Sequence, residues 1–183
     1  MIIGNSGAWE NNSLEGHAFD NLLCQNIIEF CKKNKIKNAY DFGCGHGKYT
    51  LELNNAEVSC EGYDGNPYTE NISNTFCKVL DLTTDFNMIK KDLVISLEVG
   101  EHIPEQYEDH LIEKLKNHSK KYIILSWAIE GQGGDGHVNC KNNDYIKSKF
   151  EDSFFNLLDD ENIFRNNCEL PWFKNTIMIF KRK

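Results

Sequence analysis

The chain has 183 residues, 40% hydrophobic and 26% charged, as in ordinary globular proteins and unlike disordered chains, and its length suits one domain, 1–183, leaving no room for a second catalytic one. Its 28 acidic against 20 basic side chains give a formal charge of −8, which would repel a phosphate backbone and argues against nonspecific nucleic-acid binding. Seven cysteines without a CxxC pair, no basic flank at the start and no run of about 20 apolar residues lead us to expect a reduced, cytoplasmic protein without secretory signal or membrane segment.

Residues 1–16 are polar and glycine-containing, include Trp9, and read as an arm or lid. Over 17–31, Phe19, Leu22, Leu23, Ile27 and Phe30 recur at helical spacing. Residues 36–42 predict a strand ending in a glycine turn, with a helix from Lys48 to Leu53 after it. Further strands are predicted over 58–63, 76–80, 92–97, 122–127 and 176–180, and helices over 104–115, 142–150 and 157–166. The run over 92–97 is continuously apolar after its first residue, as in a strand covered on both faces. This alternation predicts an α/β fold of the Rossmann-like, doubly wound kind: a mostly parallel seven-stranded sheet with a last antiparallel strand.

Ligands of such sheets sit beyond the carboxyl ends of the strands. Asp41-Phe42-Gly43-Cys44-Gly45-His46-Gly47 occupies one such end and puts three glycines at alternate positions, leaving main chain bare for a closely held ligand. This GxGxG spacing differs from the dinucleotide pattern GxGxxG. Asp64 closes the following strand, where a carboxylate can accept both hydroxyls of a ribose.

These motifs, with Asp81-Leu82 and Leu97-Glu98-Val99-Gly100-Glu101-His102-Ile103-Pro104, resemble in order those of class I S-adenosylmethionine (SAM) methyltransferases over residues 39–127. The resemblance implies that Gly43, Gly45 and Gly47 pass the methionine end of the cofactor and that Asp41 helps to position its ammonium. It gives Asp64 to the ribose and Asp81 with Leu82 to the adenine, with Cys44 and His46 as turn fillers.

If residues 98–102 form a helical turn, Glu98, Glu101 and His102 share a face and make a plausible ligand set for a divalent ion. His137, ending a glycine-rich loop after the next strand, offers a fourth ligand. Oxygen and imidazole donors suit magnesium or manganese better than zinc. Glu-x-x-Glu-His plus a distant His resembles the metal site of small-RNA 2′-O-methyltransferases, and Glu-x-x-Glu-His the pattern of ubiquinone-pathway O-methyltransferases; both imply magnesium-assisted methylation of one of two adjacent hydroxyls. Catalytic roles fall to His137, His102 and Glu101. Two alternatives stand beside this: a strand-to-helix junction with capping glutamates and an interior histidine, and His137 as general base without a metal.

Trp9, His17 and Asp20 are candidates for a lid over the cleft. Trp127 and Trp172 are candidates for an aromatic wall, with core packing the better role for Trp172, and Asp135 and Asn139 could orient His137. The motif set also resembles short methyltransferases of viruses, phages and polysaccharide clusters. The acidic surface suits a small-molecule or glycan acceptor, so the leading expectation is O-methylation of a sugar hydroxyl in a vicinal diol. RNA-end 2′-O-methylation, a cofactor-binding subunit without activity, and an NAD-dependent dehydrogenase are the competing readings.

Overall fold

Adjacent strands with apolar side chains on both faces set the architecture, which the computed structural model describes for residues 2–183; Met1 of the expected arm lies outside them. After the arm come α1 (Asn21–Lys33), β1 (Asn38–Phe42), α2 (Lys48–Asn55), β2 (Ser59–Asp64), α3 (Thr69–Ile72), β3 (Cys77–Val79) and β4 (Lys91–Ser96). A 3-10 turn, Glu105–Tyr107, leads into α4 (Glu108–His118) and β5 (Ser119–Leu125). Then follow α5 (Asn143–Ser148), β6 (Phe154–Asn156), α6 (Leu158–Asn166), α7 (Phe173–Thr176) and β7 (Met178–Arg182).

The seven strands form one sheet in the order β3-β2-β1-β4-β5-β7-β6. The pairs among β1 to β5 are parallel, while β7 runs antiparallel to both β5 and β6. The expected sheet is therefore present, and its last strand, β7, is the one that runs against its neighbours. No helix among the described residues is long and apolar enough to cross a membrane.

Period-two alternation splits the core between the two faces. Leu93 and Ile95 of β4, with Ile124 of β5, pack against Leu23, Ile27 and Phe30 of α1 and Leu53 of α2. Val94 of β4, with Ile123 and Leu125 of β5, packs on the other face against Leu111 and Leu115 of α4 and Phe150. Burial of each such side chain is worth about 1.5–3 kcal/mol against exposure, so the central strands are held from both sides.

Asp20 begins α1: one carboxylate oxygen accepts from Leu23 N at 2.8 Å, and the other accepts from Glu169 N and Leu170 N, both at 2.7 Å. It is an N-cap that also ties down the distant segment before α7. This corrects its assignment to a lid. The strand order reverses between β1 and β4, which places the crevice at the carboxyl ends of those two strands.

Candidate active site

Residues from the carboxyl ends of five strands line one cleft of about 300 Å³. Asp41, Gly43 and Gly45 come from the β1 end, Asp64 and Gly65 from β2, and Asp81 with Leu82 from β3. The β4 end contributes Glu98, Val99 and His102, and the loop after β5 contributes Gln132, Asp135 and His137. Among the described residues no lysine or arginine lines it, so its charged groups are carboxylates.

The glycine loop is wound tightly on itself. Gly43 N and Cys44 N both donate to Tyr63 O, Gly47 N donates to Cys44 O, and Gly45 N donates to Asp64 Oδ2 at 2.8 Å. Gly43, Gly45 and Gly47 have φ of 81°, 54° and 78°, in the left-handed region that favours glycine. A Cβ on Gly45 would stand 2.6 Å from His17 Nδ1, whereas one on Gly47 would meet Cys77 Sγ at 2.5 Å. Gly47 does not line the cleft; it is the N-cap of α2 and packs beneath the loop.

Asp64 is bonded within its turn, since its second oxygen accepts from Asn66 N at 2.9 Å. Asp81 accepts from Thr83 N and Thr83 Oγ1. Asp41 is buried and accepts from Thr50 Oγ1 at 2.7 Å, a partner that carries no sequence signal. Burial pushes the Asp41 carboxyl up to about 7, the Thr50 hydroxyl opposing this.

Residues 98–102 do not form the helical turn expected of them, because Glu98 takes a left-handed φ of 53°. A tight turn follows instead, with His102 N donating to Val99 O and Ile103 N to Gly100 O. Ligand atoms of Glu101, His102 and His137 nonetheless lie within 4.8 Å of one another. Glu98 stands outside that group, accepting from Thr176 Oγ1 at 3.1 Å and Gln132 Nε2 at 2.8 Å. Neither glutamate caps a helix, and His102 faces the cleft, so the junction alternative does not describe this segment.

Glu101 is fully buried, and neither of its carboxylate oxygens has a hydrogen-bond partner; His102 Nδ1 has none either. Burial, and then the Glu98 carboxylate, push the Glu101 carboxyl well above the usual range. Burial, and then His137, lower His102 to about 4, which keeps its imidazole neutral and fit to ligate a metal. His137 Nδ1 faces Gln132 O at 3.2 Å. A carbonyl only accepts, so in the neutral ring this partner favours the hydrogen on Nδ1 and the lone pair on Nε2.

No protein-family model matches the chain, and no curated protein matches it by sequence. Solved structures do. Magnesium protoporphyrin IX methyltransferase from Synechocystis PCC 6803 with bound SAM is similar at a TM-score of 0.67 and 16% identity, over 94% of this chain and 89% of that one. The SAM-bound amino pentose methyltransferase of calicheamicin biosynthesis from Micromonospora echinaspora reaches 0.69 at 10% identity, over 93% and 94%. The methyltransferase domain of bacterial CtHen1-C gives 0.60 at 16% identity, over 87% and 96%. The fold is the methyltransferase fold.

Within this methyltransferase fold, the arm lies across the mouth of the cleft. Ile3 and Trp9 form an antiparallel bridge, and Asn66 Nδ2 donates to Asn11 O at 2.7 Å. Trp9 meets His102 edge-on at 5.3 Å between centroids and His17 at 5.5 Å; His17 continues to His46 at 5.7 Å. His46 is therefore part of the lining and not a filler alone. Trp172 also lines the cleft, while Trp127 is fully buried, its indole N–H donating to Asn139 O at 2.6 Å. The two tryptophans thus exchange the roles expected of them. Gly100 explains the burial, since Trp127 packs where its Cβ would be.

Proposed function

We propose that the chain is a SAM-dependent O-methyltransferase acting on a sugar or glycan hydroxyl, one of a vicinal diol held by magnesium or manganese at Glu101, His102 and His137. The observation that carries this reading is Glu101. An ionised carboxylate out of water and without a partner costs several kcal/mol, and Glu101, buried behind the lining, stands beside the unpartnered imidazole of His102, which lines the cleft. A divalent cation satisfies both groups; with two imidazoles beside one carboxylate the set suits manganese better than magnesium, which prefers oxygen donors. Glu98, near enough for its carboxylate to raise the Glu101 pKa but held by Thr176 and Gln132, would complete the set as a fourth donor.

Methyl transfer is an in-line displacement at a sulfonium, so the chain's main work is to fix donor and acceptor in line. Asp41 would meet the cofactor ammonium, Asp64 its ribose, and Asp81 with Leu82 its adenine. When bound, the ion would orient the diol and lower the pKa of the reacting hydroxyl. His137 Nε2, left with its lone pair by the Gln132 carbonyl, is placed to ligate the ion or to receive the hydroxyl proton. The SAM-bound neighbours from Synechocystis and Micromonospora support the cofactor.

The test is calorimetry with S-adenosylhomocysteine, repeated with EDTA and with manganese, followed by a methyl-transfer screen of deoxysugars and diols. Glu101→Ala or His137→Ala should abolish transfer and leave cofactor affinity nearly intact; unchanged turnover removes those residues from the mechanism. RNA-end 2′-O-methylation is the second reading, favoured by the same ligand pattern and a ribose diol. The lack of lysine and arginine along the cleft among the described residues and the net charge of −8 weigh against it, and a steep salt dependence of RNA binding would favour it.

A further inference from the structure

S-adenosylmethionine carries an α-carboxylate as well as an ammonium, and a carboxylate taken into a cleft needs hydrogen-bond donors. No lysine or arginine lines this cleft among the described residues, whereas Asp41, Asp64, Asp81, Glu98 and Asp135 do. Most of the glycine loop's N–H groups are also spoken for. The N–H groups of Gly43, Cys44, Gly45 and Gly47 already donate to Tyr63 O, Cys44 O and Asp64 Oδ2.

Two groups on the arm side of the cleft remain. Trp9 Nε1 and His17 Nε2 are both shielded from solvent and without a partner, and both residues line the cleft. His17 packs directly on the glycine loop, its Nδ1 2.6 Å from where a Cβ on Gly45 would be. Trp9 lies 5.5 Å from it, ring to ring. An indole N–H is a donor and nothing else, so it requires an acceptor from the ligand. Burial lowers the pKa of His17, which remains a neutral ring able to present Nε2–H.

Resting on the SAM reading above, we infer that Trp9 Nε1–H and His17 Nε2–H receive the cofactor's α-carboxylate, so that the arm is a cofactor clamp and not an acceptor-binding element. The arm is tied to three site loops at once: Gly7 against His102 O, Ala8 against Gly65 and Ile3 against Gly136. A ligand that engages Trp9 therefore fixes the arm over all three.

The experiment compares S-adenosylhomocysteine with 5′-methylthioadenosine, which keeps adenine, ribose and thioether but lacks the amino-acid end. Affinities are measured by calorimetry on the wild-type chain, Trp9→Phe and His17→Phe. Each variant should weaken S-adenosylhomocysteine about tenfold, the scale of one hydrogen bond to a charged group, while methylthioadenosine stays within about twofold, which also shows that the variant is folded. Hydrogen exchange over 2–18 should slow with S-adenosylhomocysteine and not with methylthioadenosine. Equal weakening of both ligands, or of neither, overturns the clamp. Failure of both to bind the wild-type chain overturns the SAM reading itself.

Discussion

Gly7 presses so closely on His102 that a Cβ added to it would stand 2.0 Å from the His102 carbonyl oxygen. The arm is thereby fixed through main chain to the turn that carries two of the proposed metal ligands. Gly7 also has a φ of 86°, where an L side chain costs roughly 1–2 kcal/mol. Gly7→Ala should therefore lift the arm without unfolding the sheet. Limited proteolysis within residues 2–18 should accelerate markedly while the melting midpoint of the remainder moves by only about 2–4 °C. A large loss of midpoint with no new cleavage would show that the arm belongs to the core.

Glu101→Gln tests the buried carboxylate in the opposite direction. Burial and the Glu98 carboxylate disfavour ionisation of Glu101, so without metal the variant should gain on the wild type as pH rises and the wild-type carboxyl is forced to ionise. The stabilisation that manganese gives the wild type should vanish. Differential scanning calorimetry in EDTA and in manganese measures both, and a variant still stabilised by manganese would place the ion elsewhere.

Asp41 should leave a pH signature. Its carboxyl titrates at about 7 when folded and near 3.9 when unfolded. Between those values the folded state holds a proton that the unfolded state has lost, so stability falls as pH rises from about 4 to 7, by at most about 1.4 kcal/mol per unit. Asp41→Asn keeps a partner for Thr50 and should flatten this slope, gaining most above pH 7. Parallel slopes in urea melts of the two proteins would contradict the assignment.

Gln132 joins two groups by opposite ends: its amide donates to Glu98 and its carbonyl oxygen faces His137 Nδ1. Removing the side chain in Gln132→Ala frees Glu98 while the main-chain contact to His137 can persist. Loss of such a supporting contact commonly weakens a metal site about tenfold to a hundredfold. Manganese affinity, read by calorimetry, should drop at the lower end of that range and S-adenosylhomocysteine affinity should hold. Unchanged manganese affinity would leave Glu98 without a part in the site.

Much of this was legible because it is written in local pattern. The apolar run through Leu93, Val94 and Ile95 announces a strand covered on both sides, and the three alternating glycines announce a turn at its neighbour's end. Other features rest on relations that no pattern carries. β6 is three residues long, too short to show alternation. The left-handed Glu98 depends on its N–H reaching Ser126 Oγ at 2.7 Å, 28 positions away. Trp127 and Trp172 could not be told apart, since the gap that buries the first is made by Gly100 on another strand's end. Gly7 and Gly16 are simply two glycines of the arm in the sequence, and only the fold shows that they press on His102 and Trp9.

The carbonyl of Glu101 accepts from both Val138 N at 2.8 Å and Asn139 N at 2.9 Å, pinning the far end of the loop after β5 beside the very residue whose carboxylate it helps to surround. Between that rivet and β5, Gly131 and Gly133 have open space where a side chain would go. Exchanges at Gly133, which faces open space without a left-handed backbone, should leave the imidazole of His137 at its post, which makes this one position the natural place to retarget the protein toward a different acceptor.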